Sequence, residues 1–332
     1  MNRMPATLVS LLIGLAVAAI SRCTLAAATD AAADYPHKPV RIVVPSPPGG
    51  TLDPITRILA EALAKSFHQN FIIDNRPGAN FNVGMALAAK AEPDGYTLVM
   101  ASSGALATNI HLYKELPFHP VKDFAPVALY GDVPNILVVN PSLPVKTLKE
   151  FTDYAKTNPD RINFGSSGNG SSMHLAGELF KTMTKTQLTH VPYKGADLGT
   201  QDLISGRIQA MFQLMTGISQ QVKADRVRAI AVLAAKRSST LPNVPTTAEA
   251  GIPGLESSAW FGLQAPKGTP KTVVMKLNKE INELLTAPAF RKRISDIGVE
   301  PMGGTPEDFA RYLEKEISKW GEVVKLSGAK ID

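Results

Sequence analysis

Residues 40–54 read VRIVVPSPPGGTLDP, which joins three kinds of local structure. The apolar, β-branched run 40–44 is typical of a buried strand. The Pro/Gly run 45–50 excludes regular structure and indicates a loop. Asp53 is expected to cap a helix, and Pro54 suits the first helical position. Strand, glycine-rich loop and helix in this order form the first half of a βαβ unit.

The same alternation continues along the chain. A break at 131–134 is expected to separate two strands, and a short helix is expected to begin at Gln201. The last third reads mainly as helices that begin near Pro270, Pro288 and Pro306. Strands alternating with helices predict an α/β fold of mixed sheets flanked by helices. The predicted strands after the first lie at 71–74, 97–101, 124–130, 136–140, 162–165, 188–193, 208–213 and 227–234.

Length and the lack of a flexible linker predict two interleaved lobes. A chain of 332 residues suits roughly two domains. We expect it to cross between the lobes near 131–136 and again near 226–234. This assigns 38–132 and 232–332 to a discontinuous lobe 1, and 133–231 to an inserted lobe 2.

The N-terminal segment has the pattern of a secretory leader. Arg3 precedes an apolar run at 8–20, and three alanines at 26–28 form a small-residue processing site. This pattern predicts a signal peptide over residues 1–28, cleaved near Ala28, and therefore a periplasmic protein. The apolar run is short for a membrane span, which disfavours the alternative of an uncleaved anchor.

Composition narrows the function classes. The single cysteine, Cys23, excludes an intramolecular disulfide framework and a cysteine-rich metal or iron–sulfur site, and Arg22 before it argues against a lipoprotein. The chain carries 35 Lys and Arg against 29 Asp and Glu. These charges are scattered rather than grouped in basic blocks, so nucleic-acid binding is not predicted. The six histidines are isolated, and we predict neither a metal nor a cofactor.

Two loops offer the chemistry of a binding site. The loop 46–53 has glycines that let backbone N–H groups approach a ligand ahead of a helix N-terminus. The loop 165–172, GSSGNGSS, also runs from a strand into a helix and adds hydroxyls and an amide. Ligands of open α/β sheets bind at the carboxyl ends of strands, so the pair predicts an anion site between the lobes. Taken alone, either loop is more typical of an ordinary connection, and the prediction depends on their occurring as a pair.

The sequence does not predict an enzyme. Ser171 follows Gly170 where a phosphate-binding P-loop needs lysine. Asn169 occupies the place of the second glycine in a nucleophile elbow around Ser167. A contact between Ser171 and His174 would lack a third orienting group, and helix packing accounts for their spacing.

At these loops and beyond them the chain resembles the Bug family of TctC-type solute-binding proteins of tripartite tricarboxylate transporters. The resemblance covers nearly the whole chain after the leader, and the joint order of the segments is specific although each is weak alone. The matching segments are 35–39, 48–50 with Asp53 and Arg57, 75–79 with Asn82 and Gly84, 94–97, 165–172 with His174 and Glu178, 191–195, 242–249 and 260–266.

The resemblance implies a type II-like, two-lobed periplasmic binding protein, a monomer that closes over a small carboxylate and delivers it to the membrane subunits of a transporter. It implies that backbone N–H groups and hydroxyls hold the carboxylate. The alternatives to this transport function are a ligand-sensing subunit for a sensor kinase and an extracytoplasmic hydrolase. The implied ligand-binding residues are Pro48, Gly49, Gly50, Thr51 and Asp53 in the first loop, and Ser166, Ser167, Gly170 and Ser171 in the second.

Three departures from the family pattern lie where a ligand could touch. Ser46 replaces a common aromatic residue and would enlarge the pocket, whereas Phe81 replaces a glycine and would add an apolar wall. Gln213 replaces a common Asp with a neutral amide that tolerates a second anionic group. These changes predict an aromatic or longer dicarboxylate rather than an amino acid, and neutral drift at the rim is an equally compatible explanation.

Overall fold

The computed structural model describes residues 34–50 and 52–331, so the predicted signal peptide and Thr51 lie outside the described residues. The strands are β1 (Val40–Val44), β2 (Phe71–Asn75), β3 (Thr97–Ser102), β4 (Phe124–Val139), β5 (Asn163–Ser166), β6 (Thr189–Pro192), β7 (Ala210–Leu214), β8 (Arg228–Val232), β9 (Ser258–Pro266) and β10 (Glu300–Pro301). The helices are α1 (Leu52–Phe67), α2 (Asn82–Ala89), α3 (Asn109–Leu112), α4 (Leu148–Thr157), α5 (Ser172–Thr184), α6 (Ala196–Ser205), α7 (Met215–Lys223), α8 (Lys271–Thr286), α9 (Pro288–Asp296) and α10 (Pro306–Ser327). A π-helical turn, Gly104–Thr108, precedes α3.

The first βαβ unit forms as the sequence predicts. β1 pairs in parallel with β2 and β3, and α1 crosses between β1 and β2. Strand order across the sheet is β2-β1-β3-β9-β4-β7-β5-β6, and both β8 and β10 pair with β4. β3 and β4 run antiparallel to β9, whereas β5 runs parallel to β6 and β7, so the sheet is mixed.

β4 is one continuous strand, which corrects the prediction of two strands separated at 131–134. Its first part pairs with β9 as far as Pro134, and its second part pairs with β7 from Asn135 onward. The register of the β4–β9 ladder shifts between Pro126 and Ala128 and again between Leu129 and Gly131, and the strand continues through both irregularities. A Cβ on Gly131 would lie 2.7 Å from the carbonyl oxygen of Glu300, so only glycine permits this approach. Pro134, which has no N–H, stands where the ladder changes partner.

Four further elements differ from the sequence-based expectation: β9, α6, α7 and the π-helical turn at Gly104–Thr108. β9 is a buried central strand with no polar alternation, the pattern that periodicity distinguishes least well from a helix. α6 begins at Ala196 after Gly195, not at Gln201. α7 and the turn at Gly104–Thr108 had no predicted counterpart.

Helices cover both faces of the sheet and enclose two hydrophobic clusters. α1 buries Leu59 and Leu63 completely, and truncating such a side chain costs about 2–5 kcal/mol. α10 begins with a capping box between Thr305 and Asp308 and packs against α3 and α5. Over the residues that the structure describes, none of the helices has both the length and the apolar character that crossing a membrane requires.

Candidate functional site

A cavity of about 480 Å³, called here the central cavity, lies at the carboxyl ends of β1, β3 and β5. The loop after β1 contributes Ser46 and Gly50 to its wall, and the loop before α5 contributes Ser167, Gly170 and Ser171. Both loops singled out in the sequence therefore face one space. This position agrees with the general rule for ligand sites in open α/β sheets.

Three helices begin at the central cavity. α1, α5 and α6 expose their first turns to it through Leu52, Ser172 and Ala196. None of the described residues that line the cavity carries a charged side chain. Helix N-termini and neutral donors stabilise an anion without an ion pair, so the electrostatics of this space suit a carboxylate.

Asp53 braces the first loop from outside the cavity. Its Oδ2 accepts hydrogen bonds of 3.0 Å from Gly49 N–H and from Arg57 Nε, and its Oδ1 accepts one of 3.0 Å from Asn75 Nδ2. Burial opposes ionisation of this carboxyl, but hydrogen bonds from Arg57, Gly49 and Asn75 outweigh it and hold the pKa of Asp53 below its usual value. Gly50 N–H donates to the carbonyl of Pro47. The N–H groups of Gly49 and Gly50 are therefore already used in hydrogen bonds to Asp53 and Pro47.

Ser46 lines the central cavity, and its hydroxyl is buried in the wall with its bonding capacity unused. Its side chain is 5% exposed, and its Oγ has no hydrogen-bond partner among the described residues. Buried hydroxyls are normally hydrogen-bonded, so an unpartnered one against a cavity marks a place where a ligand can bind.

Hydrogen bonds within the second loop and to His174 in the first turn of α5 hold this loop in place. Ser171 Oγ donates to the carbonyl of Gly168 at 2.7 Å and accepts from the N–H of His174 at 3.3 Å, which caps α5. Gly170 N–H donates to His174 Nδ1 at 3.1 Å. The N–H of Gly170 and the hydroxyl of Ser171 are therefore used internally, and the other serines of this loop in the cavity wall are Ser167 and Ser172.

Ser166 belongs to a buried contact that sequence reasoning missed. Its Oγ lies 2.6 Å from His190 Nε2, and its side chain is fully buried. Burial, the largest cause, lowers the pKa of His190 to about 4 and that of His174 to about 3. Both rings are neutral at pH 7. A Ser–His pair is a nucleophile–base combination, but Ser166 does not line the central cavity.

Gln213 lies in a second cavity of about 500 Å³, called here the side cavity. The two cavities share Gly50, Met173, Ala196 and Leu214 in their walls. Gln213 Nε2 donates to Thr200 Oγ1 at 3.0 Å, and its Oε1 accepts from the N–H of Leu214 at 2.8 Å. The amide is thus fixed in orientation.

A model of the tripartite tricarboxylate transporter family receptor, TctC, matches residues 55–329. The chain belongs to this family. Protein BugT of Bordetella pertussis (strain Tohama I) is 37% identical over 319 residues, which cover 96% of this chain and 98% of BugT. The family predicted from the sequence is therefore confirmed, and the chain is a solute-binding receptor of the TctC type.

Solved structures of TctC-type receptors share the fold. Rpa4515 of R. palustris with adipate has a TM-score of 0.80 and 39% identity, covering 90% of this chain and 99% of that one. MatC of Rhodopseudomonas palustris with bound malate has a TM-score of 0.74 and 33% identity, covering 87% and 100%. The predicted two-lobed α/β binding-protein fold is confirmed.

Within this TctC receptor, the predicted site residues fall into distinct groups. Whether any of them touches a ligand stays a prediction. Six line the central cavity: Ser46, Gly50, Phe81, Ser167, Gly170 and Ser171. Gly49, Gly50 and Gln213 line the side cavity. Pro48, Asp53 and Ser166 line neither, and Thr51 lies outside the described residues.

Several residues that line the receptor's central cavity were not predicted from the sequence. Ser102 and Ser103 come from the end of β3, Gly195 from the loop before α6, and Phe261 from β9. Gly195 follows a strand and precedes a helix, as the two predicted loops do, so the same signal could have found it. Phe261 lies inside an apolar run and gave no signal. Among the described residues, no group of three or more His, Cys, Asp or Glu could hold a metal ion.

Proposed function

We propose that this TctC receptor binds a dicarboxylate in the central cavity and delivers it to the membrane subunits of a tripartite tricarboxylate transporter. The observation that carries this proposal is a cavity with an uncharged lining at three helix N-termini. Such a lining favours an anion and offers no carboxylate to an ammonium group. Two similar receptors were solved with adipate and with malate, which are both dicarboxylates.

One carboxylate is proposed to bind between Ser46 and Ser167, beside the start of α5. The unpartnered Oγ of Ser46 donates to it, and the N-termini of α1 and α5 add their dipoles. The second carboxylate is proposed to reach towards Gln213 at the side cavity, whose described wall also carries the acidic Asp197. A second acid at position 213 would add to the repulsion from Asp197, whereas the neutral amide does not.

We also propose that ligand binding closes lobe 1 (38–132 and 232–332) over lobe 2 (133–231). The exchange of ladder partners within β4, from β9 up to Pro134 to β7 from Asn135, supports a boundary at this point. The central cavity takes walls from both proposed lobes. A ligand that contacts both lobes stabilises the closed state by its differential affinity.

The receptor is proposed to act in the periplasm, as a monomer and without turnover of its ligand. The contact between Ser166 and His190 raises the question of a hydrolase. The buried position of Ser166, away from the cavity wall, favours a bracing role for this pair. Incubating the protein with adipate, and following the dicarboxylate by chromatography, tests this assignment; consumption of adipate would contradict it.

Isothermal titration of the purified protein with adipate, malate, terephthalate and glutamate tests the proposed ligand class. We expect a dicarboxylate to bind and glutamate to bind far more weakly. Ser167→Ala should cost about 1–3 kcal/mol of binding free energy if its hydroxyl contacts a buried carboxylate. Ser239→Ala, at an exposed serine away from both cavities, is the matched control. Binding of amino acids alone would overturn the proposal.

A further inference from the structure

The turn before α2 has a strained backbone. Gly78 has φ 137°, and the three residues after it, Ala79, Asn80 and Phe81, have φ values of 43°, 49° and 78°. This left-handed region is favourable for glycine and costs other L-residues conformational free energy. Asparagine tolerates it, but a bulky aromatic residue is an outlier there. Phe81 ends the turn as the N-cap of α2, with no side-chain cap of its own.

Buried asparagines hold this turn in place. The fully buried Asn109 donates through Nδ2 to the carbonyl of Asn80 at 2.7 Å and to Asn82 Oδ1 at 2.8 Å. Asn80 Nδ2 donates in return to Asn109 Oδ1 at 2.8 Å. Strained conformations persist where surrounding contacts over-determine them, and such positions cluster at ligand sites. The network fixes the turn on both sides of Phe81.

The strained turn directs the ring of Phe81 to the central cavity. Phe81 lines that cavity, and a Cβ on Gly104 would lie 3.3 Å from Phe81 Cε2, so the ring packs closely on the turn after β3. Leu52, Met173, Leu214 and Phe261 add apolar surface to the same cavity. The polar groups of the two loops are thus combined with a continuous apolar wall.

We propose that Phe81 is a specificity-determining residue that selects a dicarboxylate with an apolar spacer, either methylene groups or an aromatic ring. The proposal rests on the proposed function and extends it to the ligand's middle portion. A hydroxyl that points from the spacer at the ring of Phe81 would lose its hydrogen bonds to water and gain none from the ring. A spacer without a hydroxyl loses nothing there and gains apolar burial.

Adipate and 3-hydroxyadipate form a matched pair of probes, since they differ by one hydroxyl. Isothermal titration should give a preference of wild type for adipate of roughly tenfold to a hundredfold, the range typical of an apolar pocket. Phe81→Ala and Phe81→Gly should both reduce this preference by about tenfold, because both remove the ring.

Phe81→Ala and Phe81→Gly both remove the ring but differ in backbone strain. Comparing their stabilities therefore tests whether the backbone at this position is strained. Glycine adopts φ 78° at no steric cost whereas alanine adopts it at a cost, so Phe81→Gly should melt at a higher temperature than Phe81→Ala. Lys185→Gly relieves the left-handed residue that ends α5, at φ 54°, and should raise the melting temperature without changing the ligand preference. Phe67→Ala removes a ring that does not line the cavity and should lower only the melting temperature.

The outcomes distinguish the two proposals. If wild type binds neither probe and no other dicarboxylate, the proposed function is overturned. If wild type binds adipate but Phe81→Ala and Phe81→Gly keep its full preference over 3-hydroxyadipate, the role of Phe81 is overturned and the receptor function stands. Equal melting temperatures of Phe81→Ala and Phe81→Gly would overturn the argument from strain.

Discussion

The imidazole rings of His174 and His190 stack with their centroids 3.9 Å apart and an angle of 21° between their planes. Each ring holds one end of the loop that forms half of the candidate site. His174 Nδ1 accepts from the N–H of Gly170, and His190 Nε2 contacts Ser166 Oγ. A neutral His174 is required, because a protonated Nδ1 cannot accept a hydrogen bond.

This stacked pair predicts a loss of stability in mild acid. The unfolded chain protonates each histidine near pH 6.5, whereas the folded pKa values are about 3 for His174 and about 4 for His190. Between these limits the unfolded state binds more protons. The free energy of unfolding should therefore fall by about 1 kcal/mol per histidine for each pH unit below about 6.5. Urea unfolding at pH 7.5, 6.5 and 5.5 measures it.

Replacing His174 isolates the contribution of its ring to the pH dependence of the unfolding free energy. His174→Gln removes a titrating group, so the difference in unfolding free energy between wild type and variant should shrink as the pH falls. His68→Gln, at an exposed histidine directly after α1, is the control for the loss of an imidazole ring. A constant difference between wild type and His174→Gln across this range would rule out the stacked pair as the titrating element.

Ser46 predicts opposite effects on stability and on binding. Its buried Oγ has no partner, so Ser46→Ala should leave the unliganded protein as stable as wild type or stabilise it by up to about 1 kcal/mol. Dicarboxylate affinity should fall by roughly tenfold, since the hydroxyl's hydrogen bond to the ligand is lost. Thermal unfolding without ligand, and calorimetric titration with adipate, measure the two effects.

Ser166→Ala is the contrasting variant, because the hydroxyl of Ser166 contacts His190 and Gly168. It should lower stability by about 1–3 kcal/mol. An unchanged adipate affinity in Ser46→Ala would remove Ser46 from the site.

Gly170 predicts a steric coupling between the second loop and α3. A Cβ at this position would collide with Leu112 Cδ1, and φ is +75°. Gly170→Ala should therefore destabilise by about 2–4 kcal/mol through overpacking and backbone strain together. Gly168→Ala, with φ +124° and its nearest neighbour at 3.6 Å, should show the strain alone.

A double-mutant cycle separates the two causes. Leu112→Ala should cost less stability in the Gly170→Ala background than in wild type, because it also relieves the collision. Urea unfolding of the four proteins gives the interaction energy. Additive effects would show that Leu112 and Gly170 are not coupled.

The parts of this fold that are predictable from sequence are those with local signals. The strand at Val40–Val44, the loop after it and the capping box of α4 at Thr147 all depend on residues within a few positions of one another. β9 carries no such signal, since Trp260 to Pro266 are buried on both faces and show no period. The continuity of β4 through Pro134 depends on which strands lie beside it.

The candidate site divides in the same way. The two loops are predictable because each is a glycine-rich segment between a strand and a helix, and because they occur as a pair. The role of Asp53 is not, because one of its partners, Asn75, lies 22 positions away. The contact of Ser166 with His190 spans 24 positions. Phe81 is predictable as a departure from the family pattern, but its left-handed backbone follows from Asn109, which only the fold brings near.

Asp132 predicts a stability effect opposite in sign to that of the histidines. It lies on β4, two residues before Pro134, where the strand changes ladder partners. Burial, the main cause, raises the pKa of Asp132 to about 6; a hydrogen bond with Ser258 lowers it, and the nearby charge of Glu300 raises it further. The unfolded carboxyl titrates near pH 3.9. Between about pH 4 and 6 the folded state binds more protons, so this group costs stability as the pH rises.

Asp132→Asn removes that cost while keeping an oxygen for the hydrogen bond with Ser258. We expect the gain in stability of the variant over wild type to be larger at pH 7.5, where Asp132 is ionised, than at pH 4.5, by roughly 2 kcal/mol. Urea unfolding at pH 7.5 and at pH 4.5 measures the difference in unfolding free energy. Glu115→Gln, at an exposed acid, is the control. An equal gain at both pH values would mean that packing, rather than the buried charge, is the cause. A gain confined to pH 7.5 would mean that this part of β4 holds an ionised carboxyl at a cost to the fold.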